Sequence, residues 1–600
     1  MSRNKGTKIA LGLALLGGAV LQGCLGGDQA APTRSSTPSP SALPAPPSED
    51  EGPGPARELR IHVNQVGYET EGPKVAVIAA DEAFPELEAV VADRDGNERT
   101  VWEGKVPAAR YDELSGDWVA QVDIGGLETA GWYRIEAEGS VSVPFYIGDS
   151  VYDDLIYRVS RSYRMQRSGQ ALDDPQLGLK LQAGHLQDKE AEPIFEDEQG
   201  RRPVIDASGG WYDAGDYGKY VPPAAIAAAQ MMLAYELRPE FFAARRFLLD
   251  GERAHWEAAE SAPDLLAEIK FELDWLLRMQ REDGAVYHKI SGGVFPDFIP
   301  PAEDVQQRSV YGMSTYGTAM FAAATAMGAR VYKPFDSDYA DELLSRAERA
   351  QRWLEAHPEP YFRLDDMQDS GSGPYDKTTD REERYWALAE LFRTTGEDRY
   401  GKALANDYAD LSAGLAHYAS WNDGQLLGQW AEAAAGSGTA AQAIADAANE
   451  MAGSIGRDGY RSALTGGDYR WASNKVAMAK AELLLLANEL RPNPDYFSGA
   501  VDQLHYVLGR NAMGTSYVTG AGTRYARYPH HRISAASGIL VPGLLVGGPN
   551  RDLNDPVLEK LADQGLPPAK SYIDDLLSYA SNEYAIDYNA PLLFVLAFMD

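Results

Sequence analysis

Pro263–Gln280 reads PDLLAEIKFELDWLLRMQ. Leu265, Leu266, Ile269, Leu273, Leu276 and Leu277 recur at spacings of three and four, so they share one face of an amphipathic helix. The same period recurs in Ala224–Tyr235, Val310–Val331, Ala340–Ala356, Arg384–Arg393, Arg399–Ala416, Gly424–Ala435, Ala440–Gly453 and Ala500–Leu508. Ser473–Leu490 reads as a helix too, with Ser473 placed to cap its start. Roughly ten to twelve antiparallel helices with long loops between alternate pairs predict a large all-α domain over 150–600, closed as an (α/α)6 barrel. The loops carry most of the Trp, Tyr, Asp and His, so a site belongs on one rim.

Ahead of the helices the period changes. Arg60–Val63, Lys74–Ile78, Trp118–Val122, Trp132–Glu136 and Ser142–Ile147 are short and strand-like, broken at Asp95-Gly96-Asn97, Gly125-Gly126 and Gly139. Roughly seven strands at this spacing predict a small all-β immunoglobulin-like sandwich over 59–149. Residues 25–58 are Pro, Ser, Ala, Gly and acids, a composition that cannot repay ordering entropy and reads as a disordered linker. Residues 1–24 combine Arg3, Lys5 and Lys8 with an apolar run from Ile9 to Leu21, the layout of a signal peptide. Leu21-Gln22-Gly23-Cys24 resembles the bacterial lipobox, which makes Cys24 the expected lipidation site of an exported, membrane-anchored protein; a soluble secreted product is the alternative. Cys24 is the single cysteine, so no disulfide forms within the chain. Lys plus Arg number 55 against 89 Asp plus Glu, and the resulting net charge of −34 argues against a nucleic-acid partner.

Two separated stretches carry chemistry. Gly210–Tyr217 reads GWYDAGDY, with Asp213 and Asp216 three apart in an aromatic turn. Small residues between two acids let both carboxylates approach one water molecule; an ordinary Asx turn is the plain alternative. Tyr572–Ala590 reads YIDDLLSYASNEYAIDYNA, with Glu583 just ahead of an apolar helix and Asp574 nine residues before it. An acid beside apolar packing keeps its proton, as a general acid needs, although a solvent-facing or capping Glu would read the same way. Carboxylates among aromatic faces suit the cleavage of a sugar chain. A third stretch runs from Ser516 to Arg532 and ends in Pro529-His530-His531-Arg532, donors suited to sugar hydroxyls. A metal site and plain loop packing are the other readings of the two histidines.

Seven motifs in order, WYDAGDYGKYV (Trp211–Val221), MQREDGAVYHK (Met279–Lys289), ERYWALAELFRTTG (Glu383–Gly396), WASN (Trp471–Asn474), YVLGRN (Tyr506–Asn511), Ser516–Arg532 and Tyr572–Ala590, resemble the family-9 glycoside hydrolases. HVNQVGY (His62–Tyr68) resembles the opening of the immunoglobulin-like domain that often precedes that catalytic domain. The resemblance implies an inverting endo-β-1,4-glucanase acting on cellulose-type or mixed-linkage glucans. It assigns Asp216 as general base, Asp213 as its partner on the same water, Glu583 as general acid, Asp574 as support for Glu583, and His530 and Arg532 as hydroxyl-binding groups. Trp471 and Tyr375 are further expected substrate contacts. Inversion requires room for water between acid and base, about 6.5–9.5 Å. An exo-acting cellodextrinase or exo-β-glucosaminidase is the alternative within the family, and a non-catalytic glycan-binding lipoprotein the alternative outside it. No cofactor is required. Many relatives hold a structural zinc on cysteines and histidines; here the corresponding stretches read Arg167-Ser168-Gly169 and Gly184-His185, which predicts its absence. A structural calcium on Glu382, Glu383 and Asp423 competes with an acidic helix start as the reading of those residues. A monomer is expected.

Overall fold

The computed structural model describes residues 58–94, 99–196, 200–362, 370 and 372–599. The expectations for the signal peptide, Cys24 and the linker up to residue 57 lie outside the described residues. Among the described residues no helix is long and apolar enough to cross a membrane.

Among the described residues nine short strands form the N-terminal layer: β1 (Arg60–His62), β2 (Val75–Ala80), β3 (Leu87–Asp93), β4 (Thr100–Val106), β5 (Arg110–Asp112), β6 (Asp117–Asp123), β7 (Gly131–Ala137), β8 (Ser140–Val141) and β9 (Phe145–Ile147). They make two antiparallel sheets, ordered β1-β2-β6-β5 and β4-β3-β7-β8, with β9 also on β7. β2 reads VAVIAA, an apolar run without polar alternation, because both of its faces are covered. Ala76, Ile78 and Ala80 face the sandwich core, whereas Val77 and Ala79 join the core of the helical domain. The sheet is therefore shared between the two domains, which form one compact unit. Asp117, fully buried, ties the seam: its carboxylate accepts from Arg60 at 2.7 Å, from Lys570 Nζ at 2.6 Å and from the Tyr460 hydroxyl at 2.8 Å.

Among the described residues twelve longer helices build the second domain: α1 (Asp153–Met165), α2 (Val221–Leu237), α3 (Asp264–Arg278), α4 (Thr315–Tyr332), α5 (Ser337–Ala356), α6 (Arg381–Thr395), α7 (Asp398–Asp407), α8 (Gln425–Ala434), α9 (Gly438–Ile455), α10 (Ser473–Leu490), α11 (Pro494–Val507) and α12 (Ile586–Leu596). The even-numbered helices form the inner ring: α12, α2, α4, α6 and α8 pack in succession, and α10 packs on α12. Each odd-numbered helix lies outside an inner one, giving the (α/α)6 barrel. The sequence explains the division. α2 (VPPAAIAAAQMMLAYEL) is buried from Val221 to Ala234 on every face, and its alanines let neighbours approach closely. α5 keeps only one apolar stripe and turns its charges outward.

Three expectations are corrected. Val310–Val331 is not one helix: Arg308–Met313 is a strand, and α4 starts at Thr315, where the Ser314 side chain caps the Gly317 N–H at 3.0 Å. Ser473 does not cap α10; Ala472 holds the cap position in the left-handed region (φ 69°), and the Ser473 hydroxyl donates to the Pro549 carbonyl at 2.8 Å. Arg399–Ala416 breaks at Tyr408 (φ −132°) into α7 and a short turn of helix, Ala409–Ala413. Arg308–Met313 belongs to a small sheet that the helical period hid, ordered Glu192–Pro193, Arg308–Met313, Tyr287–Gly292, Lys219–Tyr220. Its last strand begins three residues after Asp216.

Candidate active site

The turn Gly210–Tyr217 rests on α3. Glu268 and Glu272, one helical turn apart, receive the Trp211 indole N–H (2.9 Å) and the Trp211 backbone N–H respectively. Tyr212 OH meets His185 Nδ1 at 2.6 Å, and Tyr217 OH donates to the Ile299 carbonyl at 2.6 Å. Trp211, Tyr212, Tyr217 and Tyr220 are each at most 3% exposed. These aromatics are therefore the footing of the turn and not faces for sugar rings, contrary to the expectation from composition. Their burial follows from polar tips that find partners underneath.

Asp213 and Asp216 are both buried at the lip of this turn. Asp213 Oδ2 accepts from the Tyr375 hydroxyl at 2.6 Å, and its Oδ1 is buried without a protein partner. Burial, then the nearby charges of Asp587, Asp216 and Glu583, hold the Asp213 carboxyl well above the usual range, against the pull of the Tyr375 hydroxyl. Asp216 Oδ1 accepts from the Gly218 N–H at 3.1 Å.

Glu583 reaches this turn from the far end of the chain. Its Oε1 accepts from the Gly215 N–H at 3.2 Å, a contact between residues 368 apart in sequence. The backbones interlock around it: Arg532 N donates to Gly215 O at 3.0 Å, Ile586 N to Asp213 O at 2.8 Å, and Gly547 N to Glu583 O at 2.9 Å. Desolvation and the Asp216 charge push the Glu583 carboxyl up to about 8, while Arg532 and the Gly215 N–H pull the other way. At neutral pH Glu583 thus keeps its proton. Gly215 is required by packing: a Cβ there would lie 2.0 Å from the His530 carbonyl oxygen and 3.0 Å from Glu583 Oε1.

The remaining expected residues fall around this centre in different ways. His530 Nδ1 donates to the Leu576 carbonyl at 2.7 Å, which leaves Nε2 as the free ring nitrogen. Burial and the Arg532 charge lower the His530 pKa. Arg532 donates from Nη1 to Gly215 O (3.0 Å) and from Nε to Pro296 O (2.9 Å), which fixes its guanidinium beside the aspartate turn. Asp574 does not touch the Glu583 carboxylate; it accepts from the Arg527 and Tyr528 N–H groups at 2.7 and 2.9 Å and from Asn582 Nδ2 at 3.0 Å, fixing the residue before Glu583. Trp471 is 43% exposed, with its ring 5.6 Å from that of Tyr579. Tyr375 presents its hydroxyl to Asp213, so its first engagement is with a carboxylate. His531 is a packing residue: its ring nitrogens pair with Ser534 Oγ and Gln166 Oε1, both at 2.9 Å.

Sequence reasoning missed Asp587, whose charge acts on Asp213 and whose carboxylate pairs with Lys475 Nζ at 2.8 Å. Its place at the start of the apolar helix Ile586–Leu596, close behind Glu583 in the sequence, was the available signal. The calcium reading does not fit the residues present. Lys377 Nζ sits on Glu383 at 2.7 Å and on Glu382 at 3.0 Å, so an ammonium already supplies the positive charge. Asp423 faces the same cluster and accepts from the Gln425 N–H at 2.9 Å. Nor do the residues fit a zinc: Arg167 is paired to Glu268 at 2.8 Å, and His185 spends both ring nitrogens on Tyr212 and Asp304. Among the described residues no group of three or more His, Cys, Asp or Glu could hold a metal ion.

An (α/α)6 barrel whose loops join a glutamic acid of raised pKa to a turn bearing two aspartates has the kind of acid pairing that glycoside hydrolases use. Residues 152–596 match Glycosyl hydrolase family 9, and residues 56–142 match the cellulase N-terminal ig-like domain. The chain belongs to glycosyl hydrolase family 9. It is 33% identical over 575 residues to a cellodextrinase of Butyrivibrio fibrisolvens, covering 90% of this chain and 99% of the relative. It is 32% identical over 559 residues to endoglucanase D of Acetivibrio thermocellus, covering 90% and 83%. Among solved structures, the family 9 endoglucanase J30 is 47% identical with a TM-score of 0.85, covering 88% of this chain and 99% of that one.

Proposed function

We propose that this hydrolase cleaves internal β-1,4-glucosidic bonds of cellulose-type or mixed-linkage glucans with inversion at the anomeric carbon. The observation that carries the reading is the Gly215 N–H to Glu583 Oε1 contact, which couples the acid to the turn bearing both aspartates. In this mechanism Glu583 gives its proton to the leaving oxygen. Asp216 takes a proton from the attacking water, and Asp213 holds that water through the oxygen that Tyr375 leaves free. His530 Nε2 accepts from a sugar hydroxyl beside the cleaved bond, with Arg532 bracing the loop that carries it. Trp471 supplies an exposed ring face for a pyranose. Water and side chains suffice for these proton transfers. The protein acts as an exported monomer tethered through a lipidated Cys24.

The likeness to the Butyrivibrio cellodextrinase along nearly its whole length favours a second reading, release of short products from one chain end. Incubation with cellohexaose, following product length and anomer by NMR, separates the two: mid-chain cuts support the first, progressive release from one end the second. Glu583→Gln is expected to abolish turnover while keeping oligosaccharide binding. Unchanged turnover in that variant removes Glu583 from the acid role, and retained anomers refute inversion.

A further inference from the structure

The segment ahead of Tyr375, whose hydroxyl meets Asp213, is fastened by several side chains, and Lys289 makes more of these bonds than any other. Strand Tyr287–Gly292 lies against Lys219–Tyr220 with Lys289 opposite Tyr220, four residues beyond Asp216. Lys289 is fully buried. Its ammonium donates to Ser370 Oγ at 2.7 Å, Ser372 Oγ at 2.9 Å and Gly373 O at 2.9 Å, with the Tyr220 and Tyr311 rings 5.5 and 5.3 Å away. Neighbours on the strand act in the same sense: His288 Nε2 donates to Pro374 O at 2.9 Å, and Ser291 Oγ donates to Ser370 O at 2.6 Å. Tyr316 OH donates to the carbonyl of Tyr375, which lies at φ +47°, a conformation disfavoured for an aromatic residue.

A charge is a costly way to fasten a loop, since neutral donors would serve at lower desolvation cost. Among the described residues no carboxylate lies within ion-pair distance of Lys289; burial pulls its pKa down to about 7, and the charge of Asp216 resists that fall. The ammonium therefore sits within electrostatic reach of Asp216 while all its named bonds go to the segment bearing Tyr375.

We propose that Lys289 is a positioning residue of the hydrolytic site: by fixing Ser370 and Ser372–Gly373 it sets the Tyr375 hydroxyl on Asp213 Oδ2 and so aims Oδ1 at the attacking water. The proposal rests on the reading of Asp213 given above. It predicts that Lys289 and Tyr375 act as one unit.

The test is a double-mutant cycle on the full chain with Lys289→Met, Tyr375→Phe and both together, measuring kcat and KM on cellohexaose and the melting temperature. Each single substitution is expected to lower kcat about tenfold or more with KM within about twofold, and the double to be no slower than the slower single. Multiplying losses, or an unchanged kcat in Lys289→Met, overturns the proposal. Should Lys289→Met not fold, Ser372→Ala removes one of its acceptors and must show the same non-additivity with Tyr375→Phe. Asp213→Asn is run beside them: if it keeps full kcat, the reading of Asp213 fails; if it loses kcat while Lys289→Met does not, only the positioning role fails.

Discussion

Gly215→Ala is the sharpest test of the site geometry. The added methyl would sit 2.0 Å from the His530 carbonyl oxygen, 2.9 Å from the His530 carbonyl carbon and 3.0 Å from Glu583 Oε1. Real Cβ contacts essentially never fall below 3.0 Å, so the aspartate turn and the bridged backbones of His530 and Glu583 must part by about 1 Å. The nearest atom is backbone, held by Arg532 N on Gly215 O and by His530 N on Asn582 O, so no side-chain rotation relieves the clash. A displacement of this size between acid and base costs about a hundredfold in rate. Overpacking of a buried backbone contact adds roughly 1–3 kcal/mol of destabilisation. The assay is steady-state hydrolysis of cellohexaose, with calorimetry to separate misplacement from unfolding. Expected is a kcat near one per cent of the parent in a protein that still melts cooperatively. A Gly215→Ala enzyme within threefold of the parent kcat would refute the argued coupling of Gly215 to Glu583.

Glu583 donates a proton, so its active form is present below its pKa and lost above it. With that pKa raised to about 8, kcat/KM is expected to hold at neutrality and fall as pH rises through about 8, and a decline centred near pH 5 would contradict the assignment. Because the Lys377 ammonium already bridges Glu382 and Glu383, excess EDTA is expected to leave the melting temperature and kcat unchanged; a fall reversed by added calcium would show that the cluster binds the ion. Asp117→Ala strips the seam of its shared carboxylate and leaves Arg60 and Lys570 facing a buried gap. The cost is expected at the low end of the roughly 3–5 kcal/mol for breaking a buried pair, since the Arg60 side chain is 32% exposed. An unchanged melting temperature would remove Asp117 from the seam.

Local periodicity determined much of this architecture. The leucine spacing of Pro263–Gln280 marks α3, and the unbroken apolar, alanine-rich run of Val221–Leu237 marks an inner helix, because a helix must match its apolar face to its surroundings. The order of motifs pointed to Asp213, Asp216 and Glu583, since acids amid small and aromatic residues are chemically conspicuous. What the chain alone could not disclose depends on partners hundreds of residues away. The same α3 stretch carries Glu268 and Glu272, which look like breaks in an apolar face and instead hold Trp211 under the aspartate turn. The aromatics of that turn resemble sugar platforms until burial shows them to be its footing. Glu382 and Glu383 resemble calcium ligands until Lys377 is found on them. Ser473 resembles a cap until its hydroxyl is found on Pro549. Sequence specifies which groups are available; burial and long-range hydrogen bonding, which arise only when the barrel closes, decide which of them keep a proton, hold a water or simply carry the load of packing.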